Sequence, residues 1–219
     1  MLPRVLEPEV MDSAEEAHDY DAMDHAAVNA QFVTDLRAAG LPDGPLLDLG
    51  TGTAQIPIEL CRREPTARVV ATDLARHMLA LARENVARAG LTGNIELRLG
   101  DGKRLGWPDG SFATVMSNSI VHHIPEPARV LAEALRVARR GGLLFFRDLL
   151  RPDDDAGVRW RVETYAAGAN ERQRALFDAS LRAALTLAEV RALVRELGLC
   201  SECVQATSDR HWTLSARVP

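Results

Sequence analysis

The chain has 219 residues, of which 47% are hydrophobic and 26% charged, with a formal net charge of −5. This composition is typical of a single globular domain that buries a full core without disulfides or metals. No apolar run approaches the ~20 residues that a membrane helix needs, so we expect no membrane span. We also expect no signal peptide, since residues 1–7 lack its basic and apolar regions. Three cysteines do not make a secreted disulfide framework, so the expected location is cytoplasmic.

Acidic residues are concentrated near the start of the chain. Residues 1–34 hold eight acidic side chains and one basic side chain, Arg4. No basic tract of the kind that binds a phosphate backbone is present, so nothing favours a nucleic-acid partner. We interpret residues 1–40 as an N-terminal helical cap.

From residue 45 onward, short apolar runs alternate with helical patterns. Five runs are typical of buried strands: 45–50, 68–73, 95–99, 112–118 and 143–148. Three stretches between them are typical of helices: 53–63, 75–89, and the stretch from Pro127 to Gly141-Gly142. This rhythm predicts an α/β fold, with a doubly wound parallel sheet covered by helices on both faces.

After residue 148 the pattern changes. Residues 157–184 indicate a long, Arg-rich helical region, and Thr186 with Glu189 has capping-box spacing at the start of a further helix. Two β-like runs, 202–207 and 211–218, predict an antiparallel hairpin that completes the sheet. We therefore expect one domain, residues 1–219, in which the cap is followed by a core at 45–148, a helical insert at 149–198 and a hairpin at 199–219.

The first strand runs into a glycine turn and then a helix, an arrangement that brings backbone amides close to a ligand. The dinucleotide fingerprint would place its third small residue at position six from Gly50, where this chain has Gln55. Asp48 is awkward for a pyrophosphate but suits a ligand with an ammonium group and a sulfonium. No Gly-Lys-Ser/Thr follows, which excludes a P-loop.

Four segments together resemble the class I S-adenosylmethionine-dependent methyltransferases. Residues 48–54, Asp-Leu-Gly-Thr-Gly-Thr-Ala, resemble their first motif, with alanine for the usual last glycine. Asp73 matches the family's ribose-binding acid, and Asp101 in Gly100-Asp101-Gly102 matches the segment that holds the adenine. Asn118 lies where the family's backbone passes the methionine end. The resemblance implies a Rossmann-like fold and S-adenosylmethionine as the cofactor.

The strand-end positions agree with this resemblance, because ligands of open α/β sheets lie beyond the carboxyl ends of the strands. Tyr20 is a further candidate for cofactor binding. In the family that the chain resembles, an N-terminal helical segment commonly closes over the cofactor, and an aromatic ring there can contact the sulfonium. Packing of Tyr20 onto the sheet is the alternative. The expected cofactor-binding residues are Asp48, Gly50, Thr51, Gly52, Asp73, Leu74, Met78, Asp101, Gly102, Asn118 and Tyr20.

His122 and His123 follow the fourth strand and face the expected methyl group, so either ring is a candidate general base. The alternative is structural, because related methyltransferases often have a histidine-containing stretch here as the start of a helix. Asp148, at the end of the fifth strand, is a further candidate. We expect the two adjacent rings to point in different directions and form no metal site. The CxxC pair at 200–203 is interpreted as buried thiols at a helix–strand junction.

The sequence therefore predicts a methyltransferase that acts on a small-molecule methyl acceptor, with the cap and the insert forming the acceptor pocket and its lid. Three alternatives stay open: an RNA or protein methyltransferase, a non-catalytic S-adenosylmethionine-binding protein, and an NAD-dependent oxidoreductase, which Gln55 and Asp48 oppose. A homodimer is compatible with the sequence. The arginines of the insert are candidates for anion binding or for a solvated helix face: Arg159, Arg161, Arg172, Arg174 and Arg182.

Overall fold

The computed structural model describes residues 2–7, 12–23 and 25–219. Its strands are β1 Leu46–Leu49, β2 Val69–Asp73, β3 Ile95–Leu99, β4 Phe112–Asn118, β5 Ala138–Leu149, β6 Val204–Ala206 and β7 His211–Arg217. Within the described residues they form one sheet of seven strands in the order β3-β2-β1-β4-β5-β7-β6. Neighbours pair in parallel except at β7, which is antiparallel to β5 and β6. The predicted sheet and its C-terminal hairpin are confirmed.

Helices cover both faces of this sheet. They are α1 Ala14–Asp21, α2 Ala26–Ala38, α3 Gln55–Arg63, α4 Arg76–Arg88, α5 Pro127–Val137, α6 Asp155–Tyr165, α7 Glu171–Ala183 and α8 Leu187–Glu196. Because successive strand residues point to opposite faces, Phe145 packs edge-on against Phe32 of α2, with ring centroids 5.2 Å apart. The next residue, Phe146, points to the opposite face and is buried there in a second apolar cluster, together with Trp212. The doubly wound α/β fold is confirmed.

Three local predictions need correction. The CxxC thiols are not buried as expected, since Cys200 is exposed and Cys203 is half-buried. The helix from Pro127 ends at Val137 and not at the Gly141-Gly142 pair, since the chain enters β5 at Ala138. The pair instead lies inside β5 at an irregularity of the β4–β5 register, where Gly141 has φ +71°. The Arg-rich region consists of two helices, α6 and α7, because Asn170 starts a new helix with a capping box.

The start of the chain is held by the insert. Arg4 donates from Nε to the carbonyl of Ala183 at 2.7 Å, and from a terminal nitrogen to the carbonyls of His122 and Ile124. Arg172 of α7 lies 2.9 Å from a carboxylate oxygen of Glu15 in α1. Residues 2–7, which we call the strap, and α1 are thus both fastened to α7.

Candidate active site

A cavity opens beyond the carboxyl ends of β1, β2 and β4, where an open α/β sheet holds its ligand. It encloses about 860 Å³ when the space of its open mouth is counted. The predicted residues that line it are Tyr20, Gly50, Gly52, Asp73, Leu74, Met78, Asp101, Gly102, Asn118 and His123. Four predicted residues do not line it: Asp48, Thr51, His122 and the further candidate Asp148.

Further residues complete the cavity wall outside the predicted set: Thr72, Ala75, Gly100, Lys103, Ser119, Ile120 and Ile124. Each lies within two positions of a predicted residue in the chain. The loops after the strands therefore approach the cavity as continuous segments. Loop position was the signal that could have found these residues.

The turn after β1 has a left-handed backbone at several positions. Gly50 has φ +70° and Gly52 has φ +55°. Ala54, which stands where the first motif usually has glycine, has φ +64° and bears a cost of about 1–2 kcal/mol for a residue with a Cβ. The N–H of Thr51 donates to the carbonyl of Thr72 at 2.8 Å, which ties the turn to β2.

Asp73 holds two backbone segments together at the end of β2. Its Oδ2 accepts the N–H of Gly52 at 2.7 Å, and its Oδ1 accepts the N–H of Ala75 at 2.8 Å. Burial raises the pKa of Asp73 above its usual value, although these amide donors oppose the shift. A carboxylate has about four lone-pair positions, so both oxygens keep capacity to accept from hydroxyl groups of a ligand.

Asp48 is buried at the end of β1. Burial raises the pKa of Asp48 to about 7, and the charge of Asp73 adds to the shift while a hydrogen bond from Thr51 opposes it. A carboxyl group perturbed in this way beside a cavity is typical of a functional site.

Helix α1 brings Tyr20 over the glycine turn. A Cβ built on Gly52 would lie 3.6 Å from Cε1 of the Tyr20 ring. The ring also packs against the apolar cluster that contains Ala75 and Met78, so it lines the cavity and anchors α1 at the same time. Burial, together with nearby carboxylates, raises the pKa of Tyr20 to about 12, so its hydroxyl stays protonated at neutral pH.

Asp101 and Asn118 lie on the loops after β3 and β4. The carboxylate of Asp101 accepts the N–H of Lys103 at 2.9 Å and lies 2.9 Å from its Nζ. Burial works against the ionised form, but Lys103 outweighs it and lowers the pKa of Asp101. Asn118 ends β4, and Ser119 after it has φ +58°, which turns the chain sharply at the cavity wall.

His122 is held in a buried pair with Asp148. It belongs to the 3-10 turn Val121–His123, and its Nδ1 lies 2.5 Å from Oδ1 of Asp148. Burial opposes both charges, but the pair raises the pKa of His122 and lowers the pKa of Asp148. Since the ring does not line the cavity, this geometry fits the structural alternative for His122.

The expectation that the two histidine rings diverge is wrong. Their centroids lie 4.0 Å apart, and both rings face the carboxylate of Glu7 on the strap. Oε1 of Glu7 is 3.0 Å from Nδ1 of His123 and 3.6 Å from Nε2 of His122. The reason is the tight 3-10 turn and a carboxylate that draws both rings to one side. Nothing in the sequence could have placed Glu7 here, because it is far from both histidines in the chain.

The strand order, together with a cavity walled by the glycine turn, Asp73 and Asp101, defines an α/β protein of the class I methyltransferase type. A family model described as "Methyltransferase domain" matches residues 47–146. Over 185 residues the chain is 31% identical to malonyl-[acyl-carrier protein] O-methyltransferase of Geobacter sulfurreducens. This match covers 81% of the present chain and 67% of the relative. The chain belongs to the class I S-adenosylmethionine-dependent methyltransferases, a family whose cofactor is S-adenosylmethionine.

Other relatives match less of their own length. The chain is 40% identical over 100 residues to phosphatidylethanolamine N-methyltransferase of Cereibacter sphaeroides, which covers 45% of this chain and 47% of that protein. It spans 31% of arsenite methyltransferase of Halobacterium salinarum. A crystal structure of a SAM-dependent methyltransferase from Aquifex aeolicus superposes with a TM-score of 0.68 at 18% identity, over 95% of this chain and 100% of that one. This last likeness shows the shared fold.

In residues 2–7, 12–23 and 25–219 there is no helix with both the length and the apolar character needed to cross a bilayer.

Proposed function

We propose that this protein transfers a methyl group from S-adenosylmethionine to a small-molecule acceptor. The observation that carries the proposal is that one cavity is lined both by the strand-end carboxylates Asp73 and Asp101 and by Tyr20 and His123. The cavity therefore offers partners for a nucleoside and a separate set of groups for a second ligand. When bound, S-adenosylmethionine supplies an activated methyl group on a sulfonium.

The residues present fit this cofactor. Asp73 would accept the ribose hydroxyls, since both of its oxygens retain capacity beyond the amides that they already accept. Asp101 would accept from the exocyclic amine of adenine, and Asn118 would lie along the methionine end. Asp48 would balance the ammonium group, because a nearby cation offsets the burial that disfavours its charge. The face of the Tyr20 ring would meet the sulfonium.

The acceptor would enter on the side of His123. Tyr20 of α1 lines the cavity, and Glu7 of the strap lies against His123. The strap and α1, which Arg4 and Arg172 fasten to α7, would act as a lid. Holding the acceptor in line with the methyl group supplies roughly 7–11 kcal/mol of the barrier through proximity alone. The relatives are methyltransferases, which supports methyl transfer, and their different acceptors leave this chain's acceptor to experiment.

Replacing Asp73 with asparagine is expected to weaken S-adenosylmethionine binding by about 10–100-fold. Hydrogen bonds to a charged group contribute about 1.5–3 kcal/mol, and the amide presents one nitrogen that cannot accept. Isothermal titration calorimetry of wild type and D73N measures the effect. Asp43→Asn is the matched control, because Asp43 is exposed and outside the cavity. Unchanged affinity in D73N would remove Asp73 from the site.

Replacing His123 with glutamine is expected to lower kcat by about 10²–10⁴-fold, the range for a group that handles the acceptor's proton. S-adenosylmethionine affinity should change little, because His123 is placed on the acceptor side. The measurement is adenosylhomocysteine release with a panel of small phenols, amines, thiols and carboxylic acids. His18→Gln, on the exposed face of α1, is the control.

The same panel separates the alternatives. A non-catalytic binding protein would bind S-adenosylmethionine in the calorimeter and yield no adenosylhomocysteine with any acceptor. An RNA or protein methyltransferase would turn over only with a macromolecule. We further propose that the protein works in the cytoplasm, since Cys61, Cys200 and Cys203 are all free thiols.

A further inference from the structure

We propose that Glu7, His122 and His123 form a binding site for one divalent transition-metal ion of the zinc type, at the acceptor side of the cavity. Metal binding itself is independent of the proposed function. The role that we give the ion, to hold the acceptor through an oxygen or nitrogen atom, rests on that function and would replace the proton-handling role of His123, because a ring bound through Nδ1 keeps no free lone pair.

The spacing of the three ligand atoms suits such an ion. Oε1 of Glu7 lies 3.0 Å from Nδ1 of His123 and 3.6 Å from Nε2 of His122, and all three atoms lie within 4.8 Å of one another. Tetrahedral zinc with bonds of about 2.1 Å separates its ligands by about 3.4 Å. Two imidazoles and one carboxylate are also the ligand set of many zinc sites that keep an open position. Small side-chain adjustments would therefore complete the site.

Asp148 prepares His122 for this role. Its Oδ1 lies 2.5 Å from Nδ1 of His122, so in the neutral ring this contact favours the proton on Nδ1 and leaves Nε2, which faces Glu7, to bind a metal ion. A carboxylate that orients a ligating histidine through its other nitrogen is a recurrent feature of metal sites.

His123 gives a second, independent indication. Its Nδ1 is buried, and among the described residues it makes no hydrogen bond, although Oε1 of Glu7 is only 3.0 Å away. The nitrogen and the oxygen are thus close without the alignment of a hydrogen bond. A buried nitrogen without a hydrogen bond calls for a partner that the described residues do not supply, and a metal ion is such a partner.

The charges and the exposure of the cluster agree with a bound cation. The side chains of His122, Glu7 and His123 are 4%, 9% and 19% exposed. Two carboxylates, Glu7 and Asp148, face the rings, and the nearby Arg4 guanidinium is directed to the carbonyls of His122 and Ile124. Since His123 lines the cavity, an ion here would be reached from the cavity and would keep a position for the acceptor.

The CxxC pair is the rival zinc site and sets the design of the test. Tag-free protein is stripped with a chelator, dialysed and titrated with Zn²⁺, and the bound metal is counted by mass spectrometry. The variants are Glu7→Gln and His123→Ala. The matched control is the double variant C200S/C203S, which removes the thiols and leaves the cluster intact. Co²⁺ replaces Zn²⁺ in a parallel titration of the unaltered protein, which reports the ligands without any substitution.

We expect about one Zn²⁺ per chain in wild type and in C200S/C203S, and at least about 100-fold weaker binding in both E7Q and H123A. The Co²⁺ spectrum should show the visible bands of a nitrogen and oxygen site without thiolate charge transfer. Zinc lost in C200S/C203S but kept in H123A would overturn the proposal, as would no zinc bound by the wild type. The cluster would then be an ordinary ion pair.

The two proposals can fail separately. If the protein binds no zinc but releases adenosylhomocysteine with a small acceptor, the metal site is wrong and the proposed function stands. If it binds zinc through Glu7 and His123 but yields no adenosylhomocysteine with any acceptor in the panel, the metal site stands alone.

Discussion

Replacing Asp48 with asparagine is expected to raise the free energy of unfolding by up to about 4 kcal/mol at pH 8, measured without S-adenosylmethionine. The pKa of this carboxyl group is about 7 in the folded protein and about 3.9 in an unfolded chain. The two values differ by about 3 pKa units, and each unit corresponds to 1.36 kcal/mol. Ionising Asp48 in the folded protein therefore costs about 4 kcal/mol. Asparagine has the same shape and carries no charge.

The pH dependence follows from the raised pKa. Between about pH 4 and 7 the folded state binds more protons at Asp48 than the unfolded state, so the wild type loses stability as the pH rises through this range. Below about pH 4 the stabilisation from the protonated Asp48 is fully present. The advantage of D48N should therefore be near zero at pH 4 and complete at pH 8.

Urea unfolding of wild type and D48N at pH 5 and pH 8 measures this difference. Asp43→Asn, at an exposed position, controls for the loss of one negative charge. Equal stability of wild type and D48N at pH 8 would contradict the prediction. Because Asp48 is assigned to the ammonium group of the cofactor, we expect D48N to bind S-adenosylmethionine more weakly, a trade of stability for function.

Replacing Gly50 with alanine is expected to cost about 2–5 kcal/mol of stability and to abolish measurable S-adenosylmethionine binding. A Cβ at Gly50 would lie 2.1 Å from Cγ2 of Ile120, so the glycine turn and the loop after β4 must move apart. The left-handed backbone adds about 1–2 kcal/mol of strain, and overpacking adds about 1–3 kcal/mol. Both loops belong to the cavity wall, so their displacement changes the site itself.

Gly52→Ala is the matched control for Gly50→Ala. Gly52 also has a positive φ, but a Cβ there makes an ordinary contact of 3.6 Å with Tyr20. G52A should therefore lose only about 1–2 kcal/mol. Thermal and urea unfolding compare the two, and G50A combined with Ile120→Ala should recover part of the loss, since the two residues are in contact. Equal losses of unfolding free energy in G50A and G52A would contradict the prediction, because they would show that the Ile120 side chain moves aside without cost.

Much of the core could be predicted from local patterns. The strands 95–99 and 112–118 have the observed bounds, and the capping box of Thr186 and Glu189 starts α8 as expected. These features depend on residues close together in the chain. The Gly141-Gly142 prediction failed because the register of β5 against β4, and not the glycines, decides where α5 ends.

The cofactor side of the cavity was also accessible to sequence reasoning. Parallel strands bring their carboxyl ends to one edge, so Asp73, Asp101 and Asn118 were expected to converge, and they do. Asp48 belongs to the same edge, yet its buried side chain does not line the cavity. The direction of a side chain at the end of a strand depends on the packing around it, which the strand pattern does not contain.

By itself, the sequence determined the succession of strands and helices along the chain and the doubly wound sheet, because periodicity and caps act over short distances. The class of cofactor followed from the resemblance of four strand-end segments to the class I methyltransferases. Only the tertiary structure decided that the strap returns to the turn after β4 and brings Glu7 to His122 and His123. That contact joins segments far apart in the chain through the hydrogen bonds of Arg4 and the packing of α7, and no local pattern encodes it.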